Sequence, residues 1–121
     1  MGLKHPMEKS FYYAYQGLKT ALYQEPNLRI HFTMALLALI LGLILKLQTY
    51  EWLLLVFTIF YVITLELLNT VLEAVVNLVS PDIKPFAKVA KDVSAACVLL
   101  AAILSLIVGG VLFLPKIVVY F

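Results

Sequence analysis

The chain has 121 residues, of which 64% are hydrophobic and only 13% are charged. A water-soluble domain usually contains about 45–50% apolar and about 25% charged residues, so this composition excludes an ordinary soluble enzyme and predicts an integral membrane protein. The formal net charge of +2 is too small to indicate a nucleic-acid-binding surface. The length suits one domain, and we expect residues 1–121 to form it.

A segment rich in aromatic residues comes first in the chain. Its large side chains recur at helical spacing, at Phe11, Ala14, Tyr15, Leu18 and Leu22. Dense aromatic residues are typical of a membrane–water interface, so we predict an amphipathic surface helix over about residues 8–25. A helix packed on the protein's own core is the alternative, and the two are compatible. No secretory signal peptide is expected, because the first long apolar run exceeds the about 7–15 residues of a signal core.

Three apolar runs follow, each close to or above the about 20 residues that a helix needs to cross a bilayer. They cover about residues 30–47, 52–79 and 93–114. Because helices satisfy every backbone group within one segment, we predict three membrane-spanning helices and an all-α fold. Pro81 and Pro85 prevent the linker between the second and third spans from forming one continuous helix.

The lysines and arginine predict the orientation in the membrane. Seven of them precede the first span or lie in the second linker: Lys4, Lys9, Lys19, Arg29, Lys84, Lys88 and Lys91. Two lie at the opposite ends of the spans, Lys46 and Lys116. Since cytoplasmic loops carry the excess of positive charge, we expect a cytoplasmic N-terminus and an outward C-terminus.

Four polar residues interrupt the second span near its cytoplasmic end. At 100° per residue, Glu66, Glu73 and Asn77 fall within about 40° of one another, and Asn69 lies about 60° to one side. Charged residues inside a membrane cost a few kcal/mol each and usually face protein or a wet cleft. The pattern therefore predicts a polar face that meets a partner or a cleft rather than lipid.

Neighbouring segments bring further polar groups to the same depth. Glu25 precedes the first span, and Lys91 and Asp92 precede the third. We interpret the combined set as a functional layer, with carboxylates for a divalent cation or a proton and lysines for an anion. Each residue also has a structural alternative: the glutamates can form ion pairs, and Asn69 can join two helices. His31 is interpreted as an interfacial residue, since no second histidine lies near it to complete a metal site.

Two motifs in fixed order now identify a family. The segment "ELLNTVLEAVVNLVSP" is followed by "AKVAKDVSAACVLLAA" and preceded by "YAYQGLKTALYQEPNLRIH". Over about residues 10–105 the chain resembles the bacterial diacylglycerol kinase and undecaprenol kinase family of small integral-membrane lipid kinases. The family pattern is E-x-x-N-[ST]-x-x-E-A-V-V-D, then A-K-D. Asn77 departs from it, because the family usually has Asp there, so any metal or nucleotide role of this position is in doubt.

The resemblance implies a homotrimeric bundle in the bacterial inner membrane, with active sites between subunits at the cytoplasmic interface. It implies transfer of a phosphate from ATP, with Mg²⁺, to a lipid hydroxyl. The implied site residues are Glu66 as catalytic base, Glu25 and Glu73 as Mg²⁺ ligands, and Asn69, Lys91, Asp92 and Gly17 as substrate- or nucleotide-binding residues.

The resemblance favours undecaprenol as the lipid, because "EPNLRIH" and the "SP" after the first motif are more similar to the members that phosphorylate it. Diacylglycerol, which would give phosphatidic acid, is the alternative. From another class, a small proton-coupled transport subunit in which Glu66 and Glu73 relay protons also fits the polar residues, as does a purely structural trimer. The kinase would consume Mg·ATP only with a lipid alcohol present, whereas the transporter would need no nucleotide.

Overall fold

The computed structural model describes residues 6–82 and 84–121, and over these residues it is helical. In chain order the helices are α1 (Met7–Gln24), α2 (Pro26–Leu45), α3 (Thr49–Val79) and α4 (Pro85–Tyr120). The last three are long and apolar enough to cross a membrane. The predicted all-α fold with three candidate spans is therefore confirmed. Lys4, counted above among the N-terminal cations, lies outside the described residues.

A sharp corner joins α1 to α2 at Glu25. This residue has an extended backbone, with φ −108° and ψ 104°, and it ends one helix and precedes the next. Pro26 occupies the first position of α2, where a missing N–H costs nothing. The Arg29 guanidinium donates hydrogen bonds to the carbonyls of Leu22, at 3.1 Å, and Tyr23, at 2.7 Å. These bonds satisfy carbonyls that the end of α1 leaves free, and they fix the corner on which Glu25 sits.

A tight turn folds α3 back against α2. Lys46 takes the left-handed conformation with φ 56°, and the Leu47 N–H bonds to the carbonyl of Gly42 at 3.2 Å. A Cβ on Gly42 would lie 2.8 Å from Cη2 of Trp52, closer than real atoms approach. Glycine at this position therefore lets the Trp52 ring pack directly on the backbone of α2 and sets the close approach of the two helices.

Most of the buried apolar core lies at this end of the bundle. Its buried members come from α2, the turn, α3 and α4: Leu45, Leu47, Leu55, Val108, Leu112 and Phe113. An ion pair closes the same end, since Lys116 Nζ lies 3.1 Å from Glu51 Oε1. Glu51 also accepts the backbone N–H of Gln48 at 3.0 Å and so caps α3. The packed end of the bundle is thus opposite to the end that carries the polar layer.

Helix α4 begins before the apolar run that predicts the third span. The prediction started it near residue 93, whereas α4 starts at Pro85. The reason is that Pro85 stands at the first helical position, where proline is favoured rather than disruptive. As a result, Lys88, Lys91 and Asp92 project from the first turns of a helix and not from a flexible linker.

Candidate functional site

Glu66 is the most deeply buried charged residue of the polar face. It lies on α3, its side chain is 4% exposed, and its Oε2 is 3.7 Å from Nε2 of His31 on α2. Its main-chain carbonyl accepts a hydrogen bond from the Thr70 hydroxyl at 3.1 Å, one turn further along. The carboxylate therefore points toward α2, and an ionisable ring is its neighbour there.

Asn69 connects α3 to α4. The Ser94 hydroxyl on α4 donates to Asn69 Oδ1 at 2.6 Å, and Asn69 Nδ2 donates to Glu73 Oε1 at 3.2 Å. The serine uses the amide's acceptor, so the amide's donor is directed to the carboxylate. This chain of bonds orients Glu73 through Oε1, and within residues 6–82 and 84–121 its Oε2 has no hydrogen-bond partner.

The outermost part of the polar face also meets α4. Lys91 Nζ donates to Asn77 Oδ1 at 2.5 Å, across the two helices. Asp92 Oδ2 accepts from Lys88 Nζ at 2.6 Å, an exposed pair one turn apart on α4. Because Asn77 is neutral, it orients the Lys91 ammonium without cancelling its charge, which remains available to an anion.

Glu25, at the corner between α1 and α2, and Glu73 lie near enough to Glu66 for their charges to act on its carboxylate. Within residues 6–82 and 84–121, no three His, Cys, Asp or Glu side chains lie close enough to hold a metal by themselves. Mg²⁺ on a nucleotide is usually held by one or two carboxylates together with phosphates and water. Glu25 and Glu73 are carboxylates of the type that this arrangement requires.

Gly17 stands apart from this group. It is exposed in the middle of α1, and a Cβ there would meet no atom within 4 Å. Among the described residues this space around Gly17 is open, and the binding role that the resemblance implies for it stays a prediction.

The polar face of α3 is thus shared between two neighbours. Glu66 faces α2, whereas Asn69 and Asn77 face α4. Sequence reasoning missed two members of the site, His31 and Ser94. Both lie at the depth of the predicted layer, so a search for every polar residue at that depth would have included them.

An apolar cavity of about 370 Å³ opens between α2, α3 and α4, and His31 is part of its wall. Two hydroxyl groups also line it, but Thr58 donates to the Leu54 carbonyl and Ser105 to that of Ala102. Both hydroxyls are therefore occupied within their own helices. The imidazole of His31 is a polar group of the wall that also contacts the carboxylate of Glu66.

Comparison with known proteins places the chain in a family. Residues 12–113 match the family model described as prokaryotic diacylglycerol kinase. The chain belongs to this family. It is 38% identical to the undecaprenol kinase of Bacillus subtilis strain 168 over 108 residues, covering 89% of this chain and 88% of the relative.

Other relatives are named diacylglycerol kinase. The chain is 40% identical to a diacylglycerol kinase of Synechocystis sp. over 94% of its own length and 72% of the relative. It is 30% identical to the diacylglycerol kinase of Escherichia coli K12 over 83% of its length and 82% of the relative. The resemblance stated from the motifs is therefore confirmed.

We predict that Ser94 and Asn69 stabilise the bundle cooperatively. In a double-mutant cycle, Ser94→Ala and Asn69→Ala should show a coupling free energy of about 0.6 kcal/mol and at most about 1.7 kcal/mol, as for other hydrogen bonds between membrane helices. The measurement is the free energy of unfolding in mixed micelles. Ser105→Ala provides the control, because its hydroxyl bonds to its own helix and should combine additively with Asn69→Ala. An equal coupling free energy in the Ser94/Asn69 and Ser105/Asn69 cycles would contradict a stabilising hydrogen bond between Ser94 and Asn69.

Proposed function

We propose that this protein is a lipid kinase that transfers the γ-phosphate of ATP to the hydroxyl group of a membrane lipid. The observation that carries the proposal is the buried Glu66 carboxylate, held between apolar helices beside a cluster of further carboxylates, amides and lysines. Family membership supports the same reaction, since the matched relatives are named as undecaprenol kinase and diacylglycerol kinase.

The residues divide into a lipid side and a nucleotide side. Glu66 takes the proton of the lipid hydroxyl, because it is the carboxylate placed deepest among the apolar helices. Lys91, held by Asn77, and Asp92 bind the nucleotide from the water side, where phosphoryl transfer needs cations near the phosphate oxygens.

Glu25 and Glu73 would hold Mg²⁺, which supplies charge neutralisation on the ATP phosphates. Asn69, which accepts a hydrogen bond from the Ser94 hydroxyl, holds Glu73 in place for this task by donating a hydrogen bond to it.

We assign undecaprenol as the preferred lipid. The Bacillus subtilis undecaprenol kinase matches over nearly the full length of both chains, and the apolar cavity beside His31 suits a hydrocarbon tail. The diacylglycerol kinases match at similar identity, so diacylglycerol is the second candidate.

The working assembly in this proposal is a homotrimer with α1 on the cytoplasmic surface. Large apolar side chains cover the outsides of α2, α3 and α4, and Glu73 and Asn77 are not enclosed by one chain. Neighbouring subunits would shelter these groups from lipid. Native mass measurement of the active preparation tests this assembly, and an active monomer would contradict it.

Labelling of cysteines placed at Ser80 and Tyr120 tests the orientation, with Ser80 expected on the cytoplasmic side.

We predict that the protein phosphorylates undecaprenol faster than diacylglycerol when both are offered side by side in one detergent with radiolabelled ATP. The labelled lipid product is measured for each substrate, together with the ADP released. A proton-coupled transport subunit would leave both lipids unlabelled. A higher rate with diacylglycerol would support lipid kinase activity but would contradict the assignment of undecaprenol as the preferred lipid.

We predict that substituting the carboxylates separates catalysis from nucleotide binding. Glu66→Gln keeps the size of the side chain but cannot accept a proton, so kcat should fall by about 10²–10⁴-fold with Mg·ATP affinity unchanged. Glu73→Gln and Glu25→Gln should weaken Mg·ATP binding and abolish turnover. Steady-state kinetics and a nucleotide-binding titration on the same preparation measure both effects.

Glu8→Gln is the matched control, because Glu8 is exposed in the first turn of α1 and should behave as the wild type. Loss of Mg·ATP binding in Glu66→Gln would reverse the assigned roles. Unchanged Mg²⁺ dependence in both Glu25→Gln and Glu73→Gln would remove these residues from the metal site.

A further inference from the structure

The burial of Glu66 leaves open how this base releases the proton that it accepts. A base that accepts a proton in each turnover must also release it before the next. The Glu66 side chain is only 4% exposed, so bulk water has little access to the carboxyl group. A second group has to carry the proton away.

His31 is placed to do so. Its Nε2 lies 3.7 Å from Glu66 Oε2, and its side chain is 24% exposed, about six times as much as that of its partner. The distance is longer than a hydrogen bond, but such catalytic contacts often tighten only when substrate is bound. A neutral imidazole has one ring nitrogen that accepts a proton and one that carries a proton, so histidine is suited to passing protons on.

We propose that His31 accepts the proton that Glu66 takes from the lipid hydroxyl and delivers it to water, an inference that rests on the proposed kinase reaction. The proposed cycle starts with an ionised Glu66 and a neutral His31 whose Nε2 carries no proton. The lipid O–H bond breaks as its oxygen bonds to the γ-phosphorus, its proton moves to Glu66, and ADP leaves. The protonated carboxyl group then gives this proton to Nε2 of His31, and the imidazolium releases one proton to water.

The other charged groups around Glu66 do not offer the same route. Glu25 and Glu73 are the further carboxylates whose charges act on it, and in the proposed function both are bound to Mg²⁺. From α4, the Ser94 hydroxyl donates a hydrogen bond to Asn69, and the Lys91 ammonium donates one to Asn77. Among these groups, the imidazole is the one that lies directly beside the Glu66 carboxylate.

The test compares two substitutions of His31 in the full-length protein in detergent. His31→Gln keeps an N–H group that can bond to Glu66 but cannot carry a proton, and His31→Ala removes the ring. Both should lower kcat by about 10–100-fold, less than loss of the base itself, with Mg·ATP affinity and oligomeric state unchanged. Thr33→Ala is the control, because Thr33 is exposed on the same helix and its hydroxyl bonds to the Arg29 carbonyl.

Added imidazole supplies a readout that a structural role would not move. It should restore part of the kcat of His31→Ala, whereas pyrazole, a ring of the same size but a much weaker base, should not. Wild-type kcat for His31→Gln, or equal effects of the two rings on His31→Ala, would overturn the proposal. Loss of Mg·ATP binding in His31→Gln would also overturn it and would assign the histidine to the nucleotide. If the wild type itself labels no lipid, the kinase proposal fails; if it does and the variants match it, the relay alone fails.

Discussion

The burial of one carboxylate is the constraint on which the rest of the site depends. Glu66 sits in the middle of an apolar helix with its side chain almost fully enclosed. Placing a charge there costs a few kcal/mol, and a neutral glutamine of the same size would avoid that cost. The surrounding structure therefore has to provide what the carboxylate needs: a polar neighbour from α2 and a cluster of polar groups that opens toward water.

The two ends of the bundle serve different purposes. At one end the tight turn at Gly42, the Trp52 ring and the Glu51–Lys116 ion pair lock α2, α3 and α4 together. At the other end Ala21 and Leu28 are buried apolar residues, and side-chain hydrogen bonds join α3 to α4. The buried apolar cluster and the Glu51–Lys116 ion pair thus lie away from the polar end, where the proposed kinase would have to admit a nucleotide and a lipid.

Much of this arrangement follows from the sequence, but the allocation of partners does not. Composition and run lengths predict three spans, and the depth of Glu66, Asn69 and Lys91 predicts a polar layer. The helical phase predicts that Glu66 and Asn77 lie on one face of α3. It does not predict which neighbouring helix each side chain meets. That depends on how α2 and α4 pack on α3, and so His31 and Ser94 were not identified. The early start of α4 was missed because Pro85 was interpreted as a helix breaker rather than a first helical residue.

The central claim is that Glu66 is kept for chemistry at the expense of stability, and thermal unfolding of Glu66→Gln in detergent tests it most directly. Removing a buried charge while keeping the shape of the side chain should raise the unfolding midpoint above that of the wild type, even as lipid phosphorylation is lost. A lower midpoint would contradict the account, because it would show that the carboxylate and His31 hold the helices together as a structural pair.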